Sequence, residues 1–124
     1  MFSSIFPIIT TADLGAALRF YRDLLDAEVR YEFPGPDGEP GYVGLDLGTT
    51  HFGIGRDPAM TAEASERFAL WVYADDCDDA VARLRAAGVP IVAEPADQPW
   101  GERVARVLDP DGNDVLIGQP AAGA

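Results

Sequence analysis

Few side chains in this sequence are suited to acid–base or nucleophilic chemistry. His51 is the only histidine, and Asp46 is a nearby carboxylate. Either group could act as a general base if a reacting atom lay within hydrogen-bond reach. No spacing typical of a Ser-His-Asp or Cys-His set is present, and no base is recognisable beside Cys77, the only cysteine. We interpret His51 first as a structural or pocket-lining residue and keep a catalytic role for His51 or Asp46 as the alternative.

Two glycine-containing stretches do not form recognisable phosphate or calcium sites. Gly53-Ile54-Gly55 is too short to cradle a phosphate, and glycine in a strand more often marks a bulge or a close approach. The stretch 109–114, DPDGND, lacks the spacing and the later glutamate of an EF-hand. It is typical of a hairpin turn instead, because Pro110 presets φ for a type I turn and Gly112 can adopt the positive φ that follows.

Trp100 is the aromatic residue most suited to line a ligand site. It lies between Pro99, which stiffens the chain, and Gly101, which lets the chain bend, just before a predicted strand. A large ring held there either plugs the core or forms the wall of a pocket. We favour the pocket and keep the core interpretation open.

The composition indicates a folded, acidic domain. The chain has 124 residues, of which 48% are hydrophobic, and a net charge of −12. This length suffices for one domain with a core. The negative charge argues against a nucleic-acid partner, because such a surface must be positive. It is compatible with a cationic ligand, since a negative field concentrates cations, and equally with simple solubility.

The sequence shows no sign of export or membrane insertion. No apolar run approaches the roughly 20 residues of a membrane-spanning helix. Residues 1–14 contain neither a basic n-region nor a small-residue cleavage site. A single cysteine permits no internal disulfide and suits a reducing compartment. We therefore expect a cytoplasmic protein without a membrane partner.

The predicted elements occur twice in the same order: a strand, an amphipathic helix and three further strands. Asp13 or Thr11 can cap the first helix, and a cluster of aspartates opens the second, over 75–87. The predicted strands span 6–10, 29–33, 42–47, 51–54, 68–74 and 89–93, with two more inside 98–118. These patterns predict one domain over 1–120, with module one at 1–57, a linker at 58–67, module two at 68–119 and a frayed tail at 120–124.

Two stretches carry a family resemblance: FPIITTADLGAALRFYRDLL near the start and QPWGERVARVLDPDGND near the end. With the repeated element order, they resemble the vicinal oxygen chelate superfamily, which includes glyoxalase I, extradiol dioxygenases and the fosfomycin and bleomycin resistance proteins. The second stretch is most similar to the metal-free bleomycin-resistance branch. The resemblance implies an α+β fold in which two βαβββ modules form curved mixed sheets around a cavity. It also implies a homodimer with the cavity near the subunit interface.

The resemblance assigns four positions to metal ligands. Enzymes of the superfamily hold a divalent metal with His, Gln and Glu side chains from the first and last strands of each module. The corresponding residues in this sequence are Phe6, Gly53, Ala69 and Leu116. None of these side chains can coordinate a metal. We therefore expect no metal, no cofactor and none of the metal-dependent chemistry of the superfamily.

Aromatic residues occupy the positions that hold the drug in the bleomycin-resistance branch. Trp100 falls on the tryptophan of the Pro-Trp-Gly motif, and Trp71 and Tyr73 share the strand parity of Ala69, so they would face the concave side. Arg103 matches the motif but could equally pair with Glu102 or Asp97. The predicted ligand-binding residues are Trp100, Tyr42, Trp71, Tyr73, Phe6, Phe33, His51 and Arg103.

Together these features predict metal-independent sequestration of a small aromatic or cationic ligand, for which an antibiotic of the bleomycin type is one candidate. Two alternatives remain open. One is an enzyme of the same fold, a metal-free lyase or isomerase, or a dioxygenase-like protein, acting on a small metabolite. The other is a domain without a ligand that serves in interaction. The absence of a paired acid and base at the cavity positions favours binding over catalysis.

Overall fold

The computed structural model describes residues 1–65 and 67–122. The chain has an α+β fold of two βαβββ modules, each with a four-stranded mixed sheet, as the sequence predicts. It divides into two compact units, Met1–Ala62 and Glu63–Ala124. Position 66 of the predicted linker 58–67 and positions 123–124 of the predicted tail 120–124 lie outside the described residues.

The first unit contains one helix and four strands. Its sheet has the order β1-β4-β3-β2, in which β1 and β4 are parallel and the other pairs are antiparallel. The elements are β1 (Ile8–Thr11), α1 (Leu14–Leu18) continued by a π-helix (Arg19–Leu24), β2 (Glu28–Pro34), β3 (Pro40–Leu47) and β4 (Thr50–Arg56).

The first helix is fixed by a cap and by its apolar face. The Asp13 carboxylate accepts a hydrogen bond from the Ala16 N–H at 3.0 Å, so Asp13 is the N-cap, whereas the Thr11 hydroxyl accepts from the Asp13 N–H at 3.1 Å. Phe20 and Tyr21, on the π-helix, are buried. The buried side chains that complete this core are Leu14, Ala17, Val43, Leu45 and Ile54.

The second unit repeats the topology of the first. Its sheet has the order β5-β8-β7-β6, with β5 and β8 parallel. The elements are β5 (Ala69–Tyr73), α2 (Cys77–Ala86), β6 (Ile91–Asp97), β7 (Arg103–Leu108) and β8 (Asp114–Gln119). Asp76 caps α2 by accepting from the Asp79 N–H at 3.0 Å, and Gly88 follows the helix with a φ of 86°. The buried side chains are Cys77, Val81, Leu84, Val107, Val115 and Ile117.

The turn between β7 and β8 has the predicted geometry. Gly112 has a φ of 84°, and its N–H donates to the Asp109 carbonyl at 3.0 Å. The Asp109 carboxylate, only 4% exposed, accepts from the N–H groups of Asp111 and Asn113 at 2.9 and 2.8 Å. The side chain that opens the turn therefore holds the rest of it.

Several predicted boundaries are wrong, most by one or two residues. β1 begins at Ile8, so Phe6 precedes the strand, and β5 begins at Ala69, leaving Phe68 exposed outside it. β6 was predicted to end at Ala93 but runs to Asp97 through Pro95. It is the edge strand, and its register shifts between Ala93 and Ala96, so a proline without an N–H is tolerated there. In the described part of the chain, no helix has the length and apolar character needed to cross a membrane.

Candidate functional site

Two aromatic rings of the first unit lie directly on glycines of its sheet. Gly44 on β3 and Gly53 on β4 are cross-strand partners. A Cβ built on Gly44 would lie 2.7 Å from Cε1 of Tyr31, and one built on Gly53 would lie 2.7 Å from Cε2 of Tyr42. Each ring therefore packs against glycine backbone, and a larger residue at either position would occupy the space of the ring.

These rings border a pocket of about 250 Å³. The Tyr31 and Tyr42 ring centroids are 5.9 Å apart, and those of Phe6 and His51 are 5.1 Å apart. Aromatic pairs at such separations are attractive in tilted or offset arrangements. The lining residues are Phe6, Arg30, Tyr31, Tyr42, Gly44, Leu45, His51 and Phe52. The pocket thus offers several ring faces and edges to a small ligand.

The structure brings together only part of the predicted set. Phe6, Tyr42 and His51 all line this pocket. Phe33 is the cross-strand partner of Tyr42, but it is 66% exposed and outside the lining. Tyr31 was not predicted, although it lies two residues before Phe33 on the same strand and so shares its parity. This shared strand face was the sequence feature from which Tyr31 could have been predicted as a site residue.

Polar groups flank the pocket on the same face of the sheet. Asp46 and His51 are cross-strand partners, so their side chains project from one face. Arg30 Nε lies 3.4 Å from Asp46 Oδ2. Asp46 Oδ1 is buried and has no hydrogen-bond partner among the residues that the structure describes. Burial and a hydrogen bond with Tyr31 raise the pKa of Tyr42, so its phenol stays protonated well above neutral pH.

In the second unit, β5 presents aromatic residues on its exposed face. Ala69, Trp71 and Tyr73 are exposed, whereas the alternate residues Leu70 and Val72 are partly buried. The Trp71 and Tyr73 ring centroids are 5.9 Å apart in an edge-to-face arrangement. Trp71 lies over Gly118 of the neighbouring strand, where an added Cβ would lie 2.7 Å from Nε1.

Trp100 belongs to the same face of the second unit. It is 59% exposed, so it does not plug the core. Its indole N–H donates to Glu102 Oε1 at 2.6 Å, and the Tyr73 hydroxyl donates to Glu102 Oε2 at 2.7 Å. Glu102 raises the pKa of Tyr73 through this hydrogen bond. Sequence reasoning missed Glu102 as a site residue, because it considered this carboxylate only as a partner of Arg103.

Arg103 is held by two carboxylates. Its Nε lies 3.0 Å from Asp78 Oδ2, on α2, and its Nη1 lies 3.1 Å from Asp97 Oδ1, on β6. Hydrogen bonds with these two groups raise the pKa of the guanidinium. The pairing with Asp97 is one of the predicted alternatives, whereas the pairing with Asp78 was not predicted. A ligand contact by Arg103 stays a prediction.

The residues at the superfamily's metal positions do not fit a metal ion. Phe6, Gly53, Ala69 and Leu116 carry no donor atom in their side chains. The space above Gly53 is also filled by the Tyr42 ring. Among the described residues, no group of three or more His, Cys, Asp and Glu side chains could hold a metal ion.

The repeated βαβββ module with its parallel first and last strands defines the class of protein. Residues 4–117 match the family model of the Glyoxalase/Bleomycin resistance protein/Dioxygenase superfamily, and the chain belongs to this superfamily. The membership expected from the sequence motifs is confirmed.

Similar proteins include members of different kinds. An uncharacterized protein of Mycobacterium bovis is 28% identical over 123 residues, covering 92% of this chain and 81% of the relative. The structure of the trypanothione-dependent glyoxalase I of Leishmania major is similar with a TM-score of 0.76 and 23% identity, covering 94% of this chain and 86% of that one. The structure of TioX from Micromonospora sp. ML1 is similar with a TM-score of 0.73 and 23% identity, covering 94% and 98%. At these identities the two structures share the fold alone.

Proposed function

We propose that the chain binds and sequesters a small aromatic or cationic ligand without a metal ion, as in the bleomycin-resistance branch of its superfamily. One observation carries this proposal: the aromatic side chains of Tyr31 and Tyr42 cover Gly44 and Gly53 beside a pocket of about 250 Å³. Aromatic side chains offer a large contact area and lose little conformational entropy on binding, so they suit a planar ligand. An antibiotic of the bleomycin type is the candidate ligand.

The proposal includes a cytoplasmic homodimer with the cavity near the subunit interface. Its support is the concentration of exposed large apolar side chains within residues 1–8, because exposed apolar surface can mark an interaction site. These side chains include Met1, Phe2, Ile5 and Ile8. Sedimentation equilibrium should give twice the mass of one chain. A monomer at micromolar concentration would contradict this part of the proposal.

The test is a thermal-shift screen of the purified protein against antibiotics and metabolites that includes a bleomycin, since a ligand that binds the native state alone raises Tm. For any compound found, Tyr42→Ala should weaken binding by about tenfold or more, which corresponds to the loss of one good ring contact. Phe33→Ala is the matched control, because Phe33 lies opposite Tyr42 but outside the pocket lining. A folded Tyr42→Ala protein with unchanged affinity would contradict the proposal.

The second candidate function is a metal-free lyase or isomerase. It is favoured by the cross-strand pair of Asp46 and His51, in which Asp46 Oδ1 is buried and has no hydrogen-bond partner among the described residues, since a carboxylate and an imidazole can transfer protons to or from a bound ligand. Mass spectrometry of a ligand recovered after incubation separates the two functions. Unchanged ligand supports sequestration, whereas conversion that is lost in Asp46→Asn supports the enzyme.

A further inference from the structure

The Glu102 carboxylate accepts hydrogen bonds from two aromatic side chains. Trp100 Nε1 and Tyr73 Oη each donate to a different oxygen, at 2.6 and 2.7 Å. Both donors are neutral, so they orient the carboxylate without neutralising it. Because a carboxylate accepts up to about four hydrogen bonds, each oxygen retains acceptor capacity for a ligand.

The neighbouring cations of the second unit are engaged with other carboxylates. Arg103 pairs with Asp78 and Asp97, and Arg106 Nη2 lies 2.7 Å from Asp114 Oδ1. Among the described residues, neither arginine forms an ion pair with Glu102, whose carboxylate is bonded to aromatic side chains instead. A local negative charge of this kind attracts a cation.

Two exposed rings bond to this carboxylate, and a third ring packs against one of them. Trp71, Tyr73 and Trp100 are 40%, 56% and 59% exposed. Trp71 lies against the Gly118 backbone, and the Tyr73 ring packs edge-to-face with the Trp71 ring. The negative face of an indole or phenol ring attracts an organic cation, most strongly for Trp. A carboxylate and several ring faces on one surface are complementary to a positively charged, partly apolar group.

We propose that Glu102, Trp100, Tyr73 and Trp71 form a subsite for an organic ammonium group, with Glu102 as the residue that selects the positive charge. This inference deepens the proposed function and rests on it, because it names the chemical class of the ligand group that the second unit binds. An anionic ligand is disfavoured by Glu102 and by the net charge of −12. A second copy of the chain is the competing occupant of this exposed face.

The test compares choline with 3,3-dimethylbutan-1-ol, its uncharged isostere, by tryptophan fluorescence and NMR titration of the full chain. The wild-type protein should bind choline at least about tenfold more tightly than the isostere, the size expected for a charge-dependent contact with rings and a carboxylate. Glu102→Gln, which keeps the shape of the side chain, should lose this difference. Asp111→Asn is the matched control, because it removes one exposed negative charge from the turn that follows β7, whereas Glu102 precedes that strand.

A second measurement shows whether Glu102→Gln has acted at the intended contact. The pKa of Tyr73 is raised by its hydrogen bond to Glu102, so the variant should titrate a tyrosine at lower pH in absorbance at 295 nm. Tyr73→Phe should remove that titration and retain the preference for choline, because the ring and the carboxylate remain.

Three results would overturn the inference. They are equal binding of choline and its isostere by the wild type, unchanged choline binding by a folded Glu102→Gln protein, and a Trp100→Ala protein whose oligomeric mass changes while its choline binding does not. The last result would assign the face to a second copy of the chain. Loss of charge selection while Tyr42-dependent binding persists contradicts this inference alone. Choline selection without Tyr42-dependent binding contradicts the proposed function.

Discussion

The ring of Tyr42 occupies the space that any side chain at Gly53 would need. A Cβ at position 53 would lie 2.7 Å from Tyr42 Cε2, and the same close approach separates Gly44 from Tyr31 and Gly118 from Trp71. None of these three glycines has a positive φ. They are therefore explained by the rings that cover them and not by the backbone conformation.

Gly53→Ala should destabilise the protein by about 1–3 kcal/mol, because the new methyl group forces Tyr42 out of its position. Gly55→Ala is the matched control on the same strand and face, where the nearest atom to an added Cβ is Thr10 Oγ1 at 4.0 Å. The midpoints of urea unfolding measure the loss of stability in Gly53→Ala and in Gly55→Ala. Combining Gly53→Ala with Tyr42→Ala should remove most of the cost, since the clash is then absent. Equal midpoints for the two alanine variants would contradict the steric explanation.

Gly118→Ala should displace Trp71 from the sheet. The chain has two tryptophans, so in a Trp100→Phe background the fluorescence reports Trp71 alone. Acrylamide quenching of that signal should increase after Gly118→Ala, because the indole loses its contact with the backbone. An unchanged quenching constant in a folded protein would show that Trp71 does not depend on the glycine.

Asp109→Ala should cost about 2–3 kcal/mol of unfolding free energy. The carboxylate is 4% exposed and accepts hydrogen bonds from the N–H groups of Asp111 and Asn113 and from Asn113 Nδ2, and truncation leaves those donors unsatisfied. Asp111→Ala, an exposed residue of the same turn, should cost less than about 0.5 kcal/mol. Thermal and urea unfolding of both variants provide the comparison, and similar losses would refute this account of the turn.

Cys77 should make stability depend on pH in the alkaline range. The thiol is fully buried, donates to the Ile117 carbonyl at 3.4 Å, and burial raises its pKa. A raised folded pKa means that the contribution is fully present below the unfolded pKa, about 8.5, and is lost as the pH rises through the folded pKa.

Cys77→Ala is the control for this dependence. The variant lacks the thiol but keeps the tyrosines, which also titrate at alkaline pH. With reductant present, the unfolding free energy of the wild type should fall relative to that of Cys77→Ala as the pH is raised from 7.5 to 10. A difference that stays constant over this range would exclude a contribution from the thiol.

Most of the fold follows from residue patterns that act locally. The alternation and apolar runs of the strands, Asp13 as one of two candidate caps, the aspartates that open the second helix and Gly112 in the last turn all predict what the structure shows. These features depend on neighbours within a few residues. The extension of β6 through Pro95 was missed because tolerance of a proline depends on the edge position of the strand, which is a property of the whole sheet.

The candidate site was less predictable than the fold. Tyr42 and Trp71 were identified as candidate site residues, but the glycines beneath their rings come from other strands. Glycine has no side chain to signal a role, and only the strand register brings Gly118 next to Trp71. Glu102 was missed for a related reason, because its hydrogen bond to Tyr73 joins residues 29 positions apart.

The cross-strand pair of Gly44 and Gly53 has a consequence for how such a protein could change its ligand. Since neither residue is required by the backbone conformation, a methyl group added at either position would shift Tyr31 or Tyr42 at the border of the pocket while the strands keep their register. Substitutions at two positions would then reshape recognition without rebuilding the scaffold. A lineage under selection by new compounds could explore that series through single-codon changes, with the cost of each step set by how far Tyr31 and Tyr42 can swing aside.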